Sequence, residues 1–280
     1  MEPSEKPILK VVNLNKQFGN GCSKCSNSKN RLEKNFCPEC GTVYACQDIS
    51  LELYKGEILG VVGESGSGKS TLLECLYFDK DITSGQAYIN NYKNGRVNIF
   101  SESSQQKRFI KNNILGKVYQ NPAQGLRMNF SSIGNIAENL ISAGHRNVSK
   151  MEERGRELLE RVNIPLSRMK EAPKNFSGGM QQRVQIAKAL SNNPPVLLLD
   201  EITTGLDLSV QANVLDLIKE IQRELCISMI IVSHDLGVIR MLADRTVVML
   251  NGKIIEKGLT DQILEDPQSE YTQQLVYSLL

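Results

Sequence analysis

Eight consecutive residues, Gly63-Glu64-Ser65-Gly66-Ser67-Gly68-Lys69-Ser70, constrain this chain more than any other feature. They follow the apolar run Glu57-Ile58-Leu59-Gly60-Val61-Val62, which reads as a buried strand, and they precede residues 70–77, which read as a helix. The pattern is G-x-x-x-x-G-K-[ST] in the strand–loop–helix context that its chemistry needs. Glycine lets the backbone amides of such a loop wrap phosphate oxygens, and the helix start adds a positive dipole end. Gly63, Glu64, Ser65, Gly66, Ser67, Gly68 and Thr71 then shape the cradle. Lys69 balances charge on the β- and γ-phosphates, and the Ser70 hydroxyl is a ligand for magnesium.

The rest of the chain alternates in the same way. Strands are expected at residues 8–14, 49–53, 196–199 and 227–232, and a hairpin at 247–256 turns on Asn251-Gly252. A capping box at Ser149-Lys150-Met151-Glu152 predicts a helix to about residue 162, which Pro165 stops. Further helices are expected from Ser177 to about Asn192, over 210–225, where Val210, Val214, Leu217, Ile218, Ile221 and Leu225 share one face, and over 271–280. This alternation predicts an α/β fold, a mainly parallel sheet with helices on both faces. Residues 121–193, rich in Gln and Asn, form a largely helical subdomain in this reading, and 21–43 form an insert in a single domain spanning 1–280.

Composition removes several classes. The 33 Lys and Arg nearly cancel 31 Asp and Glu, so no basic footprint for nucleic acid is expected. No stretch approaches the ~20 apolar residues that cross a bilayer, and the N-terminus has acids and prolines where a secretory signal would be apolar. A cytoplasmic protein is expected. Seven cysteines are an odd number, and four of them cluster as Cys22-x-x-Cys25 and Cys37-x-x-Cys40. Two such turns supply the four soft ligands of a closed tetrahedral zinc site, although four close thiols could also form bridges or an iron-sulfur site. Four protein thiolates leave no open position for substrate, so a structural zinc is expected, in an insert that could present a partner-binding knob. Cys46, Cys75 and Cys226 adjoin apolar residues and read as buried small hydrophobes.

Three further segments complete the chemistry. Val196-Leu197-Leu198-Leu199-Asp200-Glu201 is an apolar strand ending in two acids, which suits one acid to magnesium and the other to an attacking water. Phe176-Ser177-Gly178-Gly179-Met180-Gln181-Gln182 puts Ser and two glycines at a helix start, a position suited to a second anion contact. Its Ser177 lies 19 residues before Val196, where that strand begins. With this segment the chain resembles the ATPase subunits of the ATP-binding cassette (ABC) family, over nearly its whole length apart from the cysteine insert. The resemblance implies that Ser177, Gly178 and Gly179 are the signature, that Phe18 stacks on adenine and that Gln120 senses magnesium and the attacking water. It also implies that Asp207, in Thr204-Gly205-Leu206-Asp207, belongs to the loop that crosses to the partner protomer, and that His234 contacts the γ-phosphate. Asp200 holds the magnesium shell with Ser70 and Gln120, and Glu201 is the base. Two departures are Ile202, where the family usually has Pro, and Met180, where Gln is commoner. In the family each ATP lies between one protomer's phosphate loop and the other's signature, so one copy of each motif implies a homodimer and ATP hydrolysis.

Within that family, Gln120-Asn121-Pro122-Ala123-Gln124-Gly125-Leu126-Arg127 and the tail from Gly258 to Pro267 resemble the ATP-binding subunits of the carbon-phosphorus lyase system. That resemblance implies an ATPase dimer docked on the lyase core during phosphonate breakdown. The alternative is the ATPase of an oligopeptide or nickel importer, docked on membrane permease subunits and peripheral to the inner membrane; Pro267 and Tyr271-Thr272 suit both.

Overall fold

The computed structural model describes residues 6–27 and 32–277. In chain order its regular elements are β1 (Leu9–Phe18), α1 (Ser23–Asn27), β2 (Val43–Leu53), β3 (Ile58–Val62), α2 (Lys69–Leu76), β4 (Ser84–Ile89), α3 (Ser104–Asn113), β5 (Leu115–Val118), α4 (Pro122–Gly125) and α5 (Ser132–Ser142). They continue with α6 (Val148–Arg161), α7 (Gly178–Ala189), β6 (Val196–Asp200), α8 (Leu208–Leu225), β7 (Ser228–Ser233), α9 (Leu236–Leu242), β8 (Arg245–Leu250), β9 (Lys253–Leu259), α10 (Thr260–Glu265) and α11 (Glu270–Tyr277). The chain divides into two compact units, Met1–Glu102 with Ile231–Leu280, and Ser103–Ile230. The class is α/β as the alternation predicts.

In the first unit β1 lies between β2 and β4, antiparallel to both. A second layer pairs β3 with β8 in parallel and β8 with β9 antiparallel. Every residue of β3 is buried, as a strand covered on both faces requires. β1 and β2 run longer than the expected 8–14 and 49–53, because Lys16, Gln17 and Phe18 pair with Cys46, Tyr44 and Val43 in spite of several register shifts.

In the second unit β5 and β6 are parallel neighbours, with Leu115 opposite Val196 and Val118 opposite Leu199. α5, α6 and α7 pack on one another and carry most of this unit's helical mass. Two local expectations are corrected. Asn147, not Ser149, caps α6: its side chain accepts from the Lys150 amide, so a residue of equal capping strength two positions earlier takes the role. Cys226 is exposed at the left-handed position that ends α8, with φ +49°; Cys46 and Cys75 are buried as expected. The C-terminal helix is described to Tyr277, and residues 278–280 of its expected span lie outside the described residues, as do residues 1–5 of the N-terminus. Among the described residues no helix is long and apolar enough to cross a membrane.

Candidate functional site

The phosphate loop follows from close packing in the first unit. A Cβ on Gly63 would stand 2.1 Å from the Met249 carbonyl oxygen, and one on Gly68 would stand 2.0 Å from the Ala45 oxygen. Both glycines also have φ of +150° and +102°, so their replacement is barred by both space and conformation. Lys69 opens α2 and is buried, its Nζ donating to the carbonyl oxygens of Gly63 at 2.7 Å and Glu64 at 2.8 Å. The ammonium is thus folded across the mouth of its own loop. The Glu64 amide donates to the Tyr271 hydroxyl at 2.9 Å, a tie from α11 that the sequence did not announce.

Phe18 ends β1 opposite Val43 and is 38% exposed, with the Lys16 and Lys80 ammonium groups 4.9 and 5.1 Å from its ring centre. An exposed aromatic face flanked by cations can take a flat base and the charge attached to it. His234 follows β7 and is exposed, while the next residue, Asp235, caps α9 through the Gly237 amide at 2.7 Å.

Next to β1, the four insert cysteines converge as expected: their sulfurs all lie within 4.8 Å of one another. Cys22 and Cys25 are 3.6 Å apart, Cys25 and Cys40 3.7 Å, and Cys22 and Cys37 3.9 Å. All four are free thiols, so the bridge alternative is not what the structure contains. The group can hold a metal ion.

In the second unit, parallel pairing of β5 with β6 aligns their carboxyl ends, so Gln120 and Glu201 emerge side by side. The Gln120 Nε2 donates to Glu201 Oε2 at 2.9 Å, and the Thr204 hydroxyl donates to the same oxygen at 3.3 Å. Glu201 itself has φ +43°, a conformation uncommon for any residue but glycine and one that sets the direction of its carboxylate. Asp200, the last residue of β6, is buried, as is Ile202. The segment after Gln120 is pinned at both ends. Buried Gln185 exchanges bonds with the Tyr119 backbone at 2.6 and 3.1 Å, and Asn135 does so with Arg127 at 2.7 and 3.1 Å. Sequence reasoning missed both clamps, since Gln and Asn on helices look like surface residues.

Ser177 caps α7, its Oγ accepting from the Met180 amide at 3.4 Å. Gly178 and Gly179 open the helix, and a Cβ on Gly179 would reach 2.3 Å from Val210 of α8, which fixes a glycine there. Asp207 precedes α8 without capping it by its side chain, and Leu208 beside it is 84% exposed.

Comparison with known proteins identifies the family of the chain. A profile of the family described as ABC transporter matches residues 46–204. The phosphonates utilization ATP-binding protein PhnK of Escherichia coli K12 is 44% identical over 233 residues, covering 83% of this chain and 90% of that protein. The oligopeptide transport ATP-binding protein OppD of Bacillus subtilis is 38% identical over 248 residues, 85% of this chain and 67% of that protein. A solved dimeric ATP-binding cassette in a post-hydrolysis state with ADP and Pi has a TM-score of 0.74 at 26% identity, covering 90% of this chain and 98% of that one. The chain belongs to the ABC transporter family of ATP-hydrolysing cassettes.

Proposed function

We propose that this chain is the ATPase of a phosphonate-utilising assembly, working as a homodimer that docks on the carbon-phosphorus lyase core. The observation that carries the ATPase half is the Gln120–Glu201 pair at the ends of two parallel strands. Glu201 polarises the attacking water and Gln120 holds its carboxylate in place. Lys69 leaves the Gly63 and Glu64 carbonyls for the phosphates, with Gly66, Ser67, Gly68 and Thr71 completing the cradle and Phe18 stacking on the adenine. His234 contacts the γ-phosphate. The partner copy's Ser177, Gly178 and Gly179 amides close on the same phosphate, with Asp207 in the crossing loop, so a lone protomer lacks half of the electrostatic clamp.

Magnesium suits the donor set, because Ser70, Asp200 and Gln120 offer hydroxyl, carboxylate and amide oxygens. With its Nε2 given to Glu201, Gln120 keeps Oε1 as the acceptor. Those residues would hold the ion, which when bound neutralises phosphate charge. Zinc is the metal of the four cysteines, since a four-thiolate tetrahedron is its preferred structural site.

Support for the lyase partner is the fit in length as well as identity. The chain spans 90% of PhnK but 67% of OppD, and 76% of a dipeptide transport ATP-binding protein, DppD, of Bacillus subtilis. The importer reading keeps one observation, the 38% identity to OppD over most of this chain. Purifying the native protein with its companions separates the two. Lyase core subunits are expected, and integral membrane subunits would overturn the lyase assignment while leaving the ATPase intact. For the ATPase itself, Lys69→Ala should weaken Mg-ATP binding, whereas Glu201→Gln should bind ATP normally, trap the dimer and turn over about 10²-fold or more slower. Normal turnover by Glu201→Gln would remove the assigned base.

A further inference from the structure

The cysteine insert joins β1 to β2 directly after Phe18. A zinc ion with four Zn–S bonds of ~2.3 Å has sulfurs about 3.8 Å apart along the edges of the tetrahedron. The three recorded separations, 3.6, 3.7 and 3.9 Å, bracket that edge. Thiolates this close enclose one ion and leave no room for a cluster of several. Local backbone bonds aim them: the Cys22 amide donates to Cys25 Sγ at 3.1 Å, and the Gly41 amide donates to the Cys37 carbonyl at 2.9 Å, closing the second turn.

Thr42 is the link from this knuckle to the aromatic platform. It is 1% exposed, and its Oγ1 lies 3.2 Å from Cys40 Sγ while accepting from the Gly21 amide at 3.0 Å. Its backbone carbonyl accepts from the Cys37 amide at 2.9 Å. Gly19, with φ +107°, packs so tightly against Thr42 that an added Cβ would lie 2.6 Å from that same Oγ1. Phe18 therefore leaves β1 between its pairing with Val43 and a glycine pressed on Thr42. Removal of a central ion returns protons to the sulfurs and takes away the four bonds that tie the two turns together, leaving only local hydrogen bonds to hold Thr42 in place.

We propose that one zinc bound by Cys22, Cys25, Cys37 and Cys40 locks Thr42 against Gly19 and so sets the Phe18 ring for base stacking, making metal occupancy a determinant of nucleotide affinity. This rests on the reading of Phe18 as the adenine platform. Phe18 touches the nucleotide, and the zinc knuckle and Thr42 act through it as positioning elements.

The test compares Mg-ADP with Mg-pyrophosphate, which lacks a base, by calorimetry on the full chain. The zinc-loaded protein should contain one zinc per chain, and cobalt in its place should give the intense sulfur-to-metal absorption of a tetrahedral thiolate site. Stripping the zinc should weaken ADP about tenfold, within the ~1–3 kcal/mol range of base–aromatic stacking, and leave pyrophosphate affinity unchanged. Phe18→Ala should cause the same loss in the loaded protein and no further loss in the stripped one. Thr42→Val keeps all four thiols and should retain zinc while losing ADP affinity, so the proposal remains testable if the stripped chain unfolds. Absence of zinc from the thiols, unchanged ADP affinity in stripped folded protein or in Thr42→Val, or additive losses with Phe18→Ala would each overturn it. Failure of the zinc-loaded wild type to bind either ligand would instead sink the nucleotide-binding reading.

Discussion

At the scale of single residues, burial and backbone conformation sort the seven cysteines into three chemistries. Burial pushes the Cys46 thiol up to about 12 and the Cys75 thiol up to about 11, so both stay protonated and unreactive near neutral pH. Cys226 is exposed at the end of α8. Iodoacetamide at pH 8 should therefore modify Cys226 in the zinc-loaded native protein and spare Cys46 and Cys75 until the chain is unfolded, which peptide mass mapping would read. The left-handed backbone at Cys226 adds a second expectation. Cys226→Gly should raise stability by about 0.5–1 kcal/mol in a denaturant titration, because glycine takes φ +49° without steric cost. Sequence separated the four cysteines whose sulfurs converge from the other three, because paired C-x-x-C spacing is a chemical signal. It misjudged Cys226 because the apolar neighbours Leu225 and Ile227 suggest burial, and the helix boundary expected between them does not reveal that the residue there takes a left-handed, exposed conformation.

At the scale of elements, the phosphate loop was legible and its braces were not. Gly-x-x-x-x-Gly-Lys-Ser states its own geometry, since each required residue type is part of the motif. The packing partners of Gly63 and Gly68, Met249 and Ala45, are remote in sequence and announce nothing. The segment after Gln120 is a similar case. Its Gly125 carbonyl accepts from Lys188 on α7, whose Nζ also meets Glu138 of α5 at 2.8 Å, while Glu138 reaches Arg127 at 3.1 Å. Burial is the largest single influence on the Glu138 carboxyl and pushes it up, but Lys188 and Arg127 together hold it below the usual carboxylate range. A carboxyl lowered on folding stabilises the fold above its unfolded value, and that contribution vanishes as pH falls through the folded value. Glu138→Gln should cost about 1 kcal/mol at pH 7, after allowance for its partial exposure, and the gap to wild type should close on acidification. Denaturant titrations at pH 7 and pH 3 give the measurement; a gap that persists undiminished at pH 3 would mean packing, not charge, ties these elements.

At the scale of the whole molecule, each half of the proposed chemistry is incomplete in one copy. Ser177 caps α7, and in the proposed assembly the amides at this helix start serve the phosphate held by the partner copy. Beside Asp207 the side chain of Leu208 is 84% exposed, an apolar group that the proposed pairing of two copies would cover. If pairing is needed for hydrolysis, the rate per chain must depend on protein concentration, rising with it below the dimer dissociation constant and levelling off above. A charge at Leu208 would be desolvated on closure, so Leu208→Asp should lower that rate about tenfold or more at fixed concentration while Mg-ADP affinity stays the same. It should also abolish the ATP-dependent dimer of Glu201→Gln, a shift that sedimentation velocity resolves directly. A rate per chain that is flat over two decades of dilution, together with wild-type turnover by Leu208→Asp, would mean that a single copy completes its own clamp, and the homodimer would have to be abandoned.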